Sequence, residues 1–520
     1  MCSEMAQFSY TGNGRFKVSA LKTVKTTFFL SLSMAVAAAL GGEKPALRPK
    51  VCPTPVRAEI AAADYVPLRR LTLSCGDALA ADWVRRHLSA WYGRHMPELA
   101  VGGGPIPDGP EAYLLSADAG GVRMSAGSLA GARWAMQTLR QLAIPERGTE
   151  KVEGWIVPVC RIDDCPAMAF RAMHVCWFPE TAEWQVERLI RLAGAYKMNY
   201  VVLEPWGTFD SRVAPWYAWS GQAKMTKPVL ARLRELAADL GVTLVPQLNV
   251  FGHATMSRVV AGKHAALDFH PEYQLLFEPM GGWNWCLTNP ATRKLLVALI
   301  GELCEAFGNP PYFHLGCDEA NPPSCPDCMK RPYSEILLEH VRAMNDAVAA
   351  HGAKSMMWHD QLLEQGDERW KGFYAYGTRE TAAAAKGLPK DIVICDWHYA
   401  GPKTNYPTMK YFSDLGFKVV TCPWQDKDGI AAQGAFARTN GLFGVMGTYW
   451  HHFHGQNLPK IAVNTACAAW GTPLDELDRP WNHVRFMNDL RRIGWDMKTA
   501  DYDRTGVYMK QTVPVSAQDD

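Results

Sequence analysis

From residue 167 the hydrophobic pattern switches back and forth between two periods. Short apolar runs alternate with longer stretches whose apolar positions recur every three or four residues. The short runs predict strands at 169–175, 200–203, 243–248, 312–315, 355–358, 392–395, 418–421 and 443–448. The longer stretches predict helices at 183–196, 227–240, 291–307, 334–351, 379–386, 407–415, 430–439 and 460–469. Strands alternating with helices in this way indicate parallel βα units, and eight of each fit a (β/α)8 TIM barrel, placed at 167–500 with a tail at 501–520. A doubly wound sheet is the competing α/β architecture. It normally carries a Gly-rich phosphate turn after its first strand, and none stands there.

Before residue 167 the pattern is mixed. A strand-like run at 70–74 precedes a helical run at 78–91, and two short strands flank Gly120-Gly121 as a hairpin. Ser128 then caps a helix with Leu129, Ala132, Met136, Leu139 and Leu142 on one face, ending before Pro145. A further strand is predicted at 156–159. Residues 59–166 thus read as a small α+β domain without a catalytic cluster, and 43–58, rich in Pro and basic residues, as a linker. Residues 1–42 read as a signal peptide: Lys22 and Lys25 precede an apolar run from Phe28 to Leu40 that ends in small residues, too short to span a bilayer. An N-terminal membrane anchor is the alternative reading of that run.

Composition narrows the function. The net charge is +2, and removing the first 42 residues, with their net +3, leaves −1. Such a chain lacks the basic face a nucleic-acid partner needs. No stable membrane insertion is expected once the signal is removed, so the exported chain is placed in the periplasm or outside the cell. Nineteen Trp are many, and flat indole faces suit sugars, although large cores also hold them. Of 14 Cys, 13 follow the leader, an odd number that leaves at least one thiol unpaired. Cys325-Pro-Asp-Cys328 lies close to Cys317, and three thiolates could hold Zn²⁺, but no fourth ligand is evident in the sequence. A disulfide or reduced loop cysteines is the preferred reading, so neither a metal nor a cofactor is expected.

In a barrel the chemistry sits after the strands. Read that way, nearly every strand ends in a Trp, an acid or a His: Glu204 and Trp206, Asn249 and His253, Asp318 and Glu319, Trp358, His359 and Asp360, Trp397 and His398, Trp424 and Asp426, Trp450, His451 and His452. The pair after the fourth strand is the sharpest. Tyr312-Phe313-His314-Leu315-Gly316-Cys317-Asp318-Glu319 is a strand, a Gly turn and two adjacent carboxylates. Neighbouring residues at a strand end point in different directions, so one acid can grip a ligand while the other moves protons. His451, His452 and His454 do not fall on one face and make a poor metal-hydrolase cluster.

This stretch resembles the His-x-Gly-Gly-Asp-Glu signature of family 20 glycoside hydrolases, the β-N-acetylhexosaminidases. Residues 128–142 resemble the helix that closes that family's N-terminal domain. Ile162-Asp163-Asp164-Cys165-Pro166 with Phe170-Arg171-Ala172-Met173, Lys197-Met198-Asn199, Val245-Pro246-Gln247 and Phe251-Gly252-His253 match the same pattern. The resemblance implies an exo-acting, retaining hydrolase of terminal β-linked GlcNAc or GalNAc, acting on a glycan or amino-sugar oligosaccharide. The sugar's own acetamido oxygen would be the nucleophile. It makes Glu319 the acid and base and Asp318 the residue that holds the acetamido N–H. It makes Arg171, His253, Trp358, Trp397, Trp424, Asp426 and Trp450 substrate contacts. The pattern departs from the family at Cys317 and Ala172, each standing for a Gly. The acidic Gly-Trp loop after strand two, the Tyr after strand seven and the acid after Trp450 are also missing. A sugar-binding protein on the same fold without turnover is the alternative.

Overall fold

The computed structural model describes residues 51–472 apart from 147–149, 151, 219–223, 256–265, 280, 402, 452 and 454–456. The signal peptide read at 1–42 and the tail at 501–520 lie outside the described residues. Among the described residues no helix is long and apolar enough to cross a membrane.

The first part is a seven-stranded sheet: β1 (Arg57–Pro67), β2 (Arg70–Cys75), β3 (Glu98–Val101), β4 (Tyr113–Asp118), β5 (Gly121–Ala126), β6 (Ile144–Pro145) and β7 (Trp155–Asp164). Its order is β1-β7-β4-β5-β2-β3, with β6 beside β7. Helices Ala78–Tyr92 and Leu129–Leu142 cover one face. Trp83, Val84 and Leu88 from the first, and Ala132, Met136 and Leu139 from the second, join Leu71, Leu73, Tyr113 and Leu115 in one buried cluster. Asp77 and Ser128 cap the two helices, each accepting from the backbone N–H two residues on.

The linker reading of 43–58 fails over the residues described. Val51, Pro53 and Pro55 are buried, Cys52 N–H donates to Gln141, and Arg57 and Ala58 already pair with β7. The strand was illegible because β1 is an Ala-rich edge with most positions exposed, so no apolar alternation marks it.

The second part is a parallel barrel of β8 (Phe170–Trp177), β9 (Tyr200–Pro205), β10 (Thr243–Pro246), β11 (Tyr312–His314), β12 (Lys354–Trp358), β13 (Val393–Trp397), β14 (Lys418–Cys422) and β15 (Gly444–Tyr449). The order is β10-β9-β8-β15-β14-β13-β12-β11. The seam between β10 and β11 is drawn together just past the strands, where Leu248 N–H donates to His314 O at 2.9 Å and Val250 N–H to Leu315 O at 3.0 Å. Helices from Glu183–Ala195 to Asn457–Trp470 alternate with the strands, as the sequence periods predict.

Period two within the strands sorts the side chains. Phe170, Ala172, Val202, Val245, Met356, Trp358, Val393, Cys395, Trp397, Val420, Cys422 and Met446 fill the barrel interior. The residues between them, such as Met173, Val201, Leu244, Met357, Ile394 and Val419, pack against the helical layer.

The two parts meet at the N-terminal end of the barrel. Lys197 is fully buried there, its Nζ 3.0 Å from Asp164 Oδ2 and 2.8 Å from the Tyr113 hydroxyl. Trp470 Nε1–H donates to the other oxygen of Asp164 at 2.9 Å. A buried charge needs such a partner set, so this network fixes one docking geometry.

Candidate active site

The site begins with a strained turn after β11. Gly316, Cys317 and Glu319 all take left-handed backbone, with φ of 66°, 76° and 47°. For the two non-glycine residues this costs about 1–2 kcal/mol each. Gly316 is irreplaceable there, since a Cβ on it would lie 1.8 Å from Asn249 Oδ1. The turn is held by Val250 N–H to Leu315 O, Trp358 N–H to Gly316 O at 2.9 Å, and Glu319 N–H to Asp360 Oδ2 at 2.8 Å. The result is two carboxylates at different depths: the Asp318 side chain is 9% exposed and that of Glu319 44%.

His253 joins them. It too is left-handed, with φ 54°, and its Nε2 stands 3.3 Å from Asp318 Oδ2 and 3.3 Å from Glu319 Oε2. Its ring packs on Trp283 with centroids 4.2 Å apart, and Trp283 Nε1–H donates to Glu319 O at 2.7 Å. An imidazole touching both acids can exchange protons with either and fixes their separation.

Behind the pair lies Asp360, fully buried, accepting from Glu319 N–H and from Trp397 Nε1–H at 3.1 Å. Burial, then the charge of Asp318, push its carboxyl up to about 7. An unfolded Asp titrates near 3.8. Between these values the folded protein holds a proton that the unfolded chain has released, so this group's stabilising contribution is full below about pH 4 and is lost as pH rises to about 7. Urea unfolding of Asp360→Asn across that window should lack this downward slope while the wild type shows it; parallel slopes would refute the assignment.

The wall of the mouth is aromatic. Trp358, fully buried, packs on His314 at 4.3 Å, His174 at 5.4 Å and Trp450 at 5.7 Å. Trp450 Nε1–H donates to the Tyr399 hydroxyl at 2.7 Å; Thr448 Oγ1–H donates to Pro423 O at 3.1 Å, and its oxygen lies 3.3 Å from the same hydroxyl. Tyr399 also lies 5.1 Å from Trp397 and 5.2 Å from Trp424, and Trp397 stacks on Tyr374 at 4.5 Å. Burial holds the Tyr399 phenol well above its ordinary range, so it keeps its proton.

Trp358, Trp397, Trp424 and Trp450 therefore form one connected wall, and His253 sits on the acids. One sequence assignment is corrected. Arg171 is the second residue of β8, at the N-terminal end, and is fully buried. Its guanidinium pairs with Glu111 at 2.5 Å and donates to Lys197 O and Met168 O at 2.9 and 2.8 Å. With period two it points out of the barrel, at the opposite end from the acids, so it holds the small domain rather than a sugar. Arg171→Ala should cost about 3–5 kcal/mol in chemical denaturation, the usual loss on breaking a buried pair. The surviving fold should keep its substrate KM; a KM rise without destabilisation would restore the sugar-contact role. Asp426 stands at the start of the helix after β14. One of its oxygens caps helix Lys427–Thr439 by accepting Asp428 N–H, and the other pairs with Lys403 at 2.6 Å.

Among the described residues three clusters have metal-ligand chemistry: Glu278, Cys286, Cys325 and Cys328; His174, Cys176 and Glu204; His359, Asp396 and His398. In the second, hydrogen bonds hold the group together: Glu204 lies 3.1 Å from His174 Nε2 and accepts from Asn249 Nδ2–H at 2.7 Å. In the third, His359 and His398 turn their Nδ1 to backbone N–H groups of Trp397 and Tyr374, holding the aromatic wall. Cys317 belongs to no cluster. Its thiol, fully buried, donates to Leu315 O. His451 lies beside Trp424, while His452 and His454 lie outside the described residues.

Sequence reasoning missed Trp283, Tyr399 and the role of Asp360. Trp283 stands in a long loop, where no spacing could flag it. The other two were accessible: Asp360 continues the inward parity of Trp358, and Tyr399 that of Cys395 and Trp397.

Comparison with known proteins gives a consistent result. The domain 2 model of glycosyl hydrolase family 20 matches residues 48–165, and the catalytic-domain model of the same family matches 210–427. A beta-hexosaminidase of Porphyromonas gingivalis is 23% identical over 346 residues, 58% of this chain and 43% of the relative. One from Vibrio furnissii is 25% identical over 370 residues, 63% of this chain and 55% of the relative. The chain thus spans about half the length of these curated relatives. The crystal structure of a beta-N-acetylhexosaminidase from Bacteroides fragilis superposes with a TM-score of 0.62 at 18% identity, covering 85% of this chain and 94% of that one. The Streptomyces coelicolor family 20 enzyme superposes at 0.57 and 17%, covering 86% and 96%. These likenesses show a shared fold.

Proposed function

The chain belongs to glycosyl hydrolase family 20, and from that premise we propose that it is an exported, exo-acting β-N-acetylhexosaminidase working with retention through substrate-assisted catalysis. The observation that carries the reading is the depth difference between Asp318 and Glu319, with His253 touching both. Glu319, nearer solvent, protonates the glycosidic oxygen as that bond breaks, then takes the proton of the incoming water. The acetamido oxygen of the sugar attacks the anomeric carbon from the other face and later leaves it, so configuration is retained overall. Asp318, deeper, accepts the acetamido N–H and faces the positive charge of the cyclic intermediate.

Tyr399 completes the grip. Its oxygen accepts from Trp450 Nε1–H, and its own proton, which at rest faces Thr448 Oγ1 at 3.3 Å, turns to the acetamido carbonyl. It fills the role of the Tyr the family pattern places after strand seven, from the end of β13 instead. Trp397 and Trp450 enclose the methyl group and the sugar face, with the buried Trp358 packed behind Trp450. None of these steps uses Arg171.

The test is a panel of 4-nitrophenyl β-glycosides. N-acetylglucosaminide or N-acetylgalactosaminide should be hydrolysed and the plain glucoside should not, because it lacks the internal nucleophile. Proton NMR should show the β-hemiacetal first, and chitotriose should lose single sugars from one end. Sugar binding with no turnover of any N-acetyl substrate would convert the reading to a carbohydrate-binding protein.

A further inference from the structure

The C-x-x-C motif is not absorbed by the proposed chemistry. Cys325 and Cys328 lie in the loop after the Asp318–Glu319 turn, and the structure brings to them a third cysteine and an acid from the loop after β10. Cys286 Sγ stands 3.6 Å from Cys325 Sγ and 3.8 Å from Cys328 Sγ. A carboxylate oxygen of Glu278 lies within 4.8 Å of the sulfurs. We propose that Glu278, Cys286, Cys325 and Cys328 form a structural Zn²⁺ site that clamps the loop carrying the catalytic acids to the loop carrying Trp283.

Four features carry this. Thiolates about 2.3 Å from a tetrahedral Zn²⁺ stand about 3.8 Å apart, matching these sulfurs, whereas a disulfide needs about 2.05 Å. Cys328 N–H donates to Cys325 Sγ at 3.3 Å, so the first cysteine of the motif is folded as an acceptor sulfur. Glu278 is 4% exposed; its Oε2 accepts from Ser324 N–H and Cys325 N–H, both at 2.7 Å, while Oε1 is buried with no hydrogen-bond partner. Among the described residues no Lys, Arg or His pairs with it, and a buried carboxylate without a cation is costly. Finally, four protein ligands close the site, which suits a structural ion rather than a catalytic one.

The location gives the clamp a purpose. The two loops otherwise meet through few bonds: Trp283 to Glu319 O, and Asn284 to Asn321 in both directions at 2.6 and 3.1 Å. Both loops are long and without strands, where a crosslink limits motion most.

Metal content of the full chain, purified with a phosphine reductant, tests the proposal independently of the glycosidase reading. About one zinc per chain is expected. It should fall to background in Cys286→Ser and Cys328→Ser and stay in Cys165→Ser, and Glu278→Gln should bind about tenfold more weakly or worse. Cobalt substitution of the wild type, which needs no variant to fold, should give the visible and sulfur-to-metal bands of a tetrahedral thiolate site. Chelation should lower the melting temperature, and zinc but not magnesium should restore it. Background zinc in reduced, folded protein would overturn the site. So would a cobalt spectrum without sulfur bands, or a peptide map joining Cys286 to Cys325 or Cys328 by a disulfide.

Discussion

Glu319→Gln is expected to lower kcat on chitobiose by about 10²–10⁴-fold, the usual worth of a positioned acid and base. The amide keeps the shape and the Trp283 contact, which is made by the backbone oxygen, so the melting temperature should stay near wild type. The loss should depend on the leaving group. An aryl glycoside with a very acidic phenol departs without protonation, so its first step should be nearly spared and the second, water-activating step should become limiting. Azide, which needs no base, should then restore turnover. An equal loss on every substrate would remove Glu319 from the acid role.

Asp318→Asn should behave differently. Its carboxylate sits deep, against His253, and in the proposed mechanism its charge is what the cyclic cation requires. Removing that charge should cost about 10²–10³-fold in kcat, comparable to deleting one preorganised electrostatic contact. The loss should be similar for good and poor leaving groups and insensitive to azide. The amide also presents an N–H where an acceptor is needed, so the affinity of a thiazoline analogue of the intermediate should fall in parallel. If Asp318→Asn showed the leaving-group dependence expected of Glu319→Gln, the two roles would have to be exchanged.

The contrast rests on a turn that was half legible. Gly316-Cys317-Asp318-Glu319 was readable as a turn bearing two acids, and Cys317 as a departure from a second glycine. That the backbone is left-handed at Cys317 and Glu319 was not readable, because the strain is held by contacts from β12 and from the segment after β10. The same limit explains the metal cluster. Cys325 and Cys328 declare themselves by spacing, but Cys286 lies 39 residues before Cys325, and Glu278 is one acid among many. The thiol first paired with the motif, Cys317, was nearer in sequence and is elsewhere in space.

What the sequence alone determined is the alternation of strands and helices, hence a barrel, and the end of each strand where chemistry gathers. Period and length are local properties, and eight repeats of one local pattern leave little choice of fold. Parity belongs to the same level: alternation along β13 already aims Trp397 and Tyr399 inward, and along β8 it aims Arg171 outward. Only the tertiary structure decided which ends meet. It placed Arg171 against Glu111 at the far end of the barrel, set His253 between the acids and brought Asp360 beneath them. The physical reason is that a partner is chosen by packing across the sheet and its loops, over distances the chain order does not record.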